Sequence, residues 1–326
     1  MTGARPKASV RSRPTPTGPR ATVPYLRVVV TTRCTMACRF CHMEGDPATA
    51  GAEGGLPITE LVALAQVGLE LGVRKVKLLG GEPLARRDLP DLIRALRDID
   101  PVLDISLITA GAVPARRLDA CFDAGLSRAN MSIHGFSPDA FARNARGESL
   151  YRLRGDFLRT LLGAARPTKL NYVYTGPEVA GDLPAFLAWA ADKPVVVNVL
   201  DDLSNTDLDS RAVEAAVLSL RGEPETRWLE PDPFSLPTLR LRWADGLTVE
   251  IKSERLGDQA PWTACNECPA RARCREGIHA LRLSHDGWLR PCMDRPDRGV
   301  DLVGALRDGG LPRAREAWMS LLEEVR

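Results

Sequence analysis

An α/β fold, with a parallel sheet curled into a partial (β/α)6 TIM barrel and a small C-terminal domain, is predicted by three observations. Six apolar runs recur between residues 25 and 200, and each of the first five is followed by a helix-period stretch. Strands alternating with helices build a parallel sheet with both faces covered. Six units are too few for the eight-fold barrel, so the barrel is open-sided. Finally, the residues able to do chemistry cluster where these runs end, which is where parallel α/β folds place their sites.

Residues 1–22 are rich in Arg, Pro, Thr and Gly with almost no large apolar side chain. They cannot offset their ordering entropy and read as a disordered basic tail. YLRVVV, from Tyr25, is the first strand, and it runs straight into a loop of closely spaced cysteines. A Gly-rich linker (Gly51 to Gly55) follows, and Pro57-Ile58-Thr59-Glu60 opens a helix that ends near Gly72. VKLL (Val76 to Leu79) is the second strand and stops at Gly80-Gly81-Glu82-Pro83. A helix from Asp88 to about Arg97 leads to DISLIT (Asp104 to Thr109), and a helix follows Pro114. ANMSIH (Ala129 to His134) precedes a helix after Ser137 and another at Leu150 to Ala164. KLNYVY (Lys169 to Tyr174), the helix Leu183 to Ala191 and VVVNVL (Val195 to Leu200) complete the series.

Beyond Asp201 the rhythm breaks. Residues 201–237 carry Pro and acidic residues with one amphipathic helix near Arg211 to Leu220. Two hairpins are then signalled by Asp-Gly turns, LRLRW-ADG-LTVEI and HALRLS-HDG-WLRPC. The division expected is a tail over 1–22, a barrel core over 23–202, and a linker with a small cysteine-bearing domain over 203–326.

The charge balance, 44 basic against 42 acidic residues and a net +2, makes no electrostatic case for nucleic acid or a membrane surface. No apolar run reaches the roughly 18 residues of a spanning helix, and the N-terminus lacks a signal-peptide core. A cytoplasmic protein is expected. Seven of the eight cysteines fall in two groups, Cys34/Cys38/Cys41 and Cys265/Cys268/Cys274/Cys292. In a cytosolic chain such groups read as metal or cluster ligands rather than disulfides. Cys121, in RLDACFDAGL, reads as a small buried hydrophobe.

The first group is the C-x3-C-x2-C run TTRCTMACRFCHMEG (Thr31 to Gly45). Three thiolates on one loop can hold three irons of a cubane and leave a fourth open. An open iron could chelate the amino and carboxylate groups of S-adenosylmethionine (SAM). The Gly80-Gly81-Glu82-Pro83 turn complements this, because glycines permit close backbone approach and Glu82 can accept from an ammonium group. In the second group, Cys265 and Cys268 alone could form half of a zinc ribbon.

These stretches, with VKLLGGEPLARRDLPDLI, LDACFDAGLSRANMSIHGFSPDAFAR, KLNYVYTG and DGWLRPC, resemble the radical SAM enzymes. Among those the chain is most similar to the molybdenum-cofactor GTP 3',8-cyclase group. The resemblance implies two 4Fe-4S clusters, SAM as cofactor, and a 5'-deoxyadenosyl radical that abstracts hydrogen from a small-molecule substrate. It also implies a flavodoxin- or ferredoxin-like electron donor. By the same likeness Cys34, Cys38 and Cys41 ligate the catalytic cluster. Gly80, Gly81 and Glu82 would hold the methionyl end of SAM, with Thr109 and Ser132 flanking it and Phe40 near the adenine. Arg27, Lys77, Lys169 and Arg282 match basic places that line the cyclase's substrate cavity. The second cysteine group resembles the shorter, "twitch" type of auxiliary-cluster domain. In the cyclase pattern three cysteines hold that cluster and its open iron touches the substrate; here four cysteines are available.

Four features separate the chain from the strict cyclase pattern: Ala110 after Thr109, the fourth cysteine, a single arginine at the second-cluster motif, and an ending EEVR without a Gly-Gly tail. The sequence therefore favours radical chemistry on a nucleotide-, nucleoside- or sugar-like substrate, with GTP cyclisation and peptide modification as alternatives. From a different class, a non-catalytic iron–sulfur electron carrier is the competing reading. It has no need of the GGEP turn. His42 and His134 read as either site-facing or packed, and Tyr172 and Tyr174, on one face of a strand, as radical-quenching or packed.

Overall fold

The computed structural model describes residues 23–45, 54–145, 147–163, 168–177, 181–203, 205, 207–231, 236–252, 262–271, 274 and 277–326. The tail expected over residues 1–22 lies outside them. The barrel half runs β1 (Tyr25–Thr31), α1 (Ile58–Glu70), β2 (Lys75–Gly80), α2 (Leu89–Ile99), β3 (Asp104–Thr109), α3 (Arg116–Asp123), β4 (Arg128–Ile133), α4 (Pro138–Asn144), α5 (Glu148–Gly163), β5 (Thr168–Tyr174), α6 (Leu183–Ala190) and β6 (Val196–Asp201). The remainder comprises α7 (Ser210–Arg221), β7 (Thr226–Glu230), β8 (Thr238–Arg242), β9 (Thr248–Lys252), α8 (Thr263–Asn266), β10 (Leu281–Leu283), β11 (Trp288–Arg290), β12 (Val300–Asp301) and α9 (Leu302–Val325).

The twelve strands among the described residues belong to one sheet, in the order β12-β11-β10-β1-β2-β3-β4-β5-β6-β9-β8-β7. Strands β1 to β6 are parallel neighbours in chain order. The two hairpins foreseen after residue 201 do not stand apart from this sheet. β9 adds parallel to β6 and β10 adds parallel to β1, so each hairpin extends one edge. The physical reason is that an open six-stranded barrel leaves two unpaired edges, which a hairpin strand satisfies. β7 and α9 had no clear signal. β7 (TRWLE) is short and largely exposed, and α9 is kinked at Gly309 and Gly310, which interrupts its periodicity.

Alternation along each strand divides its side chains between two environments. Leu26, Val28, Val76, Leu78, Ile105, Leu107, Met131, Leu170 and Val197 face the helices in one buried core. Many of the opposite positions, among them Arg27, Lys77, Ser106, Arg128, Asn171 and Asn198, are polar and face the barrel lumen, so one sheet face rather than both is covered by helices. Cys121 is fully buried in the helix-facing core, as its pattern predicts. Tyr172 also lies there, stacked on Phe186 at 5.4 Å with its hydroxyl donating to Asp182 at 3.1 Å. Tyr172 and Tyr174 are both buried among helix-facing residues, which settles them as packing side chains.

Helix α9 closes the outside. Its Trp318 is buried against Gly68 of α1, where a Cβ would come within 2.7 Å of the indole. Among the described residues no helix is long and apolar enough to cross a membrane.

Candidate active site

The cysteine loop leaves β1 at its C-terminal end and is held from three sides. Met36 is buried in a small cluster with Ala112, Phe141 and Ala145. The Arg39 N–H donates to the Asn144 carbonyl at 3.0 Å. On the third side the loop's own carbonyls receive the glycine turn after β2. The N–H of Gly81 donates to Thr31 O at 2.8 Å and that of Glu82 to Arg33 O at 2.7 Å. A Cβ on Gly80 would lie 2.2 Å from Thr31 O, and one on Gly81 2.3 Å from Arg33 O. The two glycines therefore serve first to seat the cysteine loop on the turn.

Cys34 and Cys41 are exposed and Cys38 is half-buried. Burial pushes the Cys38 thiol up to about 12, with the neighbouring Cys34 and Cys41 adding to it. The three sulfurs thus sense one another, and coordinated iron would offset the cost of ionising them. Ala37, Met43 and Glu44 adopt left-handed φ values of 45°, 46° and 58°, each at a cost of about 1–3 kcal/mol. His42 serves the loop itself, its Nδ1 accepting from the Glu44 N–H at 3.1 Å.

Glu82 is 3% exposed. It accepts from the Thr109 hydroxyl at 2.7 Å, the Ala110 N–H at 2.9 Å and the Leu84 N–H at 3.2 Å. Burial raises its pKa, and these three donors oppose the rise. A carboxylate offers about four acceptor directions, so one remains for a cation. Ala110 contributes through its backbone, so the Glu82 contact does not depend on the side chain at that position. Phe40 stacks on His134, ring centroids 5.6 Å apart and planes 10° apart. Burial, then the charge of Arg154, pushes the His134 imidazole down to about 3, so it is neutral. Ser132 stands on β4 two residues before it, level with Asn171 of β5.

Inside the barrel the register sets Arg290, Arg282, Arg27, Lys77, Ser106 and Arg128 side by side across β11, β10, β1, β2, β3 and β4. Arg27 is paired with Glu44 through its Nε at 2.7 Å, and Arg282 Nε lies 3.7 Å from the same carboxylate. Burial alone would raise the Glu44 carboxyl, but Arg27, His42 and Arg282 outweigh it and hold it at about 2. Lys77 is pushed well below its usual value by burial and then by Arg27 and Arg128. Lys169 pairs with Glu250, which also receives Arg240 at 3.0 Å. The structure thus brings all four predicted basic residues to the lumen. Glu44, Arg128 and Glu250 were not foreseen there. Arg128 and Glu250 occupy alternate strand positions that the period-two pattern marks as inward.

The second cysteine group converges on one cavity of about 500 Å³, part of it open to solvent, lined by Cys265, Cys268, Cys274 and Cys292. Burial pushes the Cys265 thiol to about 11, with Cys274 and Cys292 adding to it. Among the described residues no three ligand-type side chains are close enough to hold a single metal ion. A cubane spreads its thiolates over several iron corners, so an open set of sulfurs suits it better than one ion. Three cysteines on one loop and four around one cavity supply the thiolates that such a cluster takes.

The radical SAM superfamily profile matches residues 28–190. A protein of Metallosphaera sedula named probable GTP 3',8-cyclase is 30% identical over 296 residues, 88% of this chain and 86% of that protein. One of the same name from Methanococcus maripaludis is 27% identical over 304 residues, 91% of this chain and 93% of the relative. In fold the chain is similar to Streptococcus suis SuiB bound to S-adenosylmethionine, with a TM-score of 0.59, 13% identity, and coverage of 89% of this chain and 67% of that one. With half of its length inside the profile and the cysteine loop and glycine turn at the matching strand ends, the chain belongs to the radical SAM superfamily of enzymes, which use S-adenosylmethionine and 4Fe-4S clusters.

Proposed function

We propose that this enzyme cleaves SAM at the Thr31–Gly45 loop and takes a hydrogen atom from a phosphorylated nucleotide-type substrate held in the barrel lumen. Its cofactors are SAM and two 4Fe-4S clusters. The observation that carries the substrate class is the basic row Arg290-Arg282-Arg27-Lys77-Ser106-Arg128. Like charges this close in a half-buried lumen repel one another; Glu44, against Arg27 and Arg282, and Asp104, paired with Arg128, balance only part of them. A multiply charged anion offsets the rest.

Cys34, Cys38 and Cys41 would hold the catalytic cluster, which when bound would supply the one electron that breaks a sulfonium C–S bond of SAM. Glu82 would accept from the cofactor's ammonium, its carboxylate kept aimed by Thr109 and the Ala110 N–H. Gly80 and Gly81 let that turn meet the cysteine loop. Phe40, braced by neutral His134, would offer a flat apolar face to the adenine, while Ser132 with Thr109 would flank the methionyl end. Arg27, Lys77, Lys169 and Arg282 bind the substrate anion. Residues 203–326 carry the second cluster, and a flavodoxin- or ferredoxin-like protein of the cytoplasm supplies the electron.

A narrower reading, cyclisation of GTP, is favoured by the relatives named probable GTP 3',8-cyclase, which match over most of their length. Anaerobic reconstitution followed by dithionite and SAM tests the enzyme reading through formation of 5'-deoxyadenosine. Intact clusters without that product would overturn it. Adding GTP, other nucleoside triphosphates and unphosphorylated nucleosides in parallel tests the substrate class. Stimulation by nucleosides alone would refute the role given to the basic row.

A further inference from the structure

The second cysteine cavity differs from a three-thiolate site in having a fourth sulfur built into its wall. Cys274 lines the same cavity as Cys265, Cys268 and Cys292. Its sulfur accepts from the Gly277 N–H at 3.4 Å, and Gly277 has a left-handed φ of 67° that suits glycine. That N–H sets the direction of the Cys274 sulfur. Asp294 and Arg295 line the same cavity, and Arg295 is fixed by Asp297, Nε to Oδ1 at 2.8 Å. N–H donors aimed at sulfur are a usual accompaniment of thiolates that ligate iron–sulfur clusters.

On the lumen side, Arg282 is 5% exposed and reaches toward Glu44. Four sulfurs thus line one cavity, and the one that a three-thiolate site would lack is directed by a backbone N–H.

We infer that Cys265, Cys268, Cys274 and Cys292 all ligate the second cluster, so that none of its irons is open and the substrate is recognised by the basic row rather than by iron. The inference rests on the proposed placement of a cluster at this cavity, and its test does not depend on radical chemistry. In the full-length chain with Cys34, Cys38 and Cys41 all changed to Ala, only the second cluster remains. After anaerobic reconstitution with isotope-enriched iron, about four irons per chain are expected. The Mössbauer spectrum shows no distinct iron site and is unmoved by added GTP. Introducing Cys274→Ala into that background exposes one distinct iron that responds to GTP; Cys274→Ser keeps about four irons with one altered site. A distinct, GTP-responsive iron before any change at Cys274 overturns the inference. So does a Cys274→Ala spectrum identical to its parent's. Absence of iron from the triple variant would instead refute the placement of a cluster in the cavity.

Discussion

The carbonyl oxygen of Arg33 lies 2.3 Å from the position a Cβ would take on Gly81. The same oxygen receives the N–H of Glu82 at 2.7 Å. A methyl at residue 81 cannot be accommodated without lifting the cysteine loop from the turn, because both partners are backbone. Gly81→Ala should therefore lower iron content at the first cluster and abolish 5'-deoxyadenosine formation. Gly155→Ala is the control: it lies in α5 with only an Arg159 side-chain nitrogen 3.8 Å from the added Cβ, and should stabilise by about 0.5–1 kcal/mol. Wild-type iron content in Gly81→Ala would refute the coupling between loop and turn.

The Thr109 hydroxyl holds Glu82 from one side and accepts the Gly111 N–H at 2.9 Å on the other. Thr109→Val keeps the shape and removes the donor, leaving a buried carboxylate oxygen short of one partner, a loss of about 1–3 kcal/mol. SAM binding to reconstituted protein should weaken about tenfold, with Thr109→Ser recovering most of it. Unchanged affinity in Thr109→Val at full iron content would remove Glu82 from the cofactor site.

Most of the barrel was legible because both of its signals are local. Apolar runs such as VVV at Val28 to Val30 mark strands, and helix-period stretches with starts such as Ser137-Pro138 mark the covers. The cysteine spacings and the GGEP turn were legible for the same reason. Relations set by register were not. Nothing in YLRVVV tells that Arg27 stands level with Lys77 and Arg282, since that depends on how three distant strands align. Glu44 was invisible as a partner of Arg27 because it sits in a loop and reaches its site through a left-handed turn. The continuity of both C-terminal hairpins with the barrel sheet was hidden too, since hairpin signals specify the turn and not the neighbour.

Glu44 makes stability depend on acid. Its folded value of about 2 lies below the ordinary 4.5, so its contribution is complete above 4.5 and is lost as pH falls through about 2. The linkage amounts to about 3 kcal/mol. Urea unfolding of the iron-free protein should show this loss between pH 4.5 and 2 in wild type, and a flatter profile in Glu44→Gln. That variant should also be destabilised at neutral pH by about 3 kcal/mol, because Arg27 loses its buried partner. Parallel acid limbs in the two proteins would contradict the pairing.

Trp318 of α9 and Gly68 of α1 form a tight contact that ties the C-terminal helix to the barrel. Trp318→Ala should cost about 3–5 kcal/mol through loss of buried contacts. Gly68→Ala should cost about 1–3 kcal/mol by overpacking, less whatever helix propensity returns. The double variant should cost clearly less than the sum, since the new methyl enters the space the indole leaves. Additive losses in thermal unfolding would show that the two residues do not press on each other.

Lys77 ties substrate binding to a proton. Burial and the charges of Arg27 and Arg128 hold its pKa well below the usual 10.5; such a group is neutral over the range between its folded value and 10.5. A bound polyanion brings negative charge into the row, favours the ammonium form, and raises that pKa again. Nucleoside triphosphate binding within this range should therefore take up protons from solution. Working well above the phosphate pKa of about 6 keeps the ligand's own titration out of the signal. Calorimetry in two buffers of different ionisation enthalpy reads the uptake directly. It should shrink in Lys77→Met, which keeps an apolar stem of similar length and cannot accept a proton, and persist in Lys169→Met, because Lys169 already has Glu250 as its partner. Buffer-independent heats in the wild-type enzyme would mean that Lys77 is charged before the anion arrives. The lumen would then neutralise its row without help from the substrate.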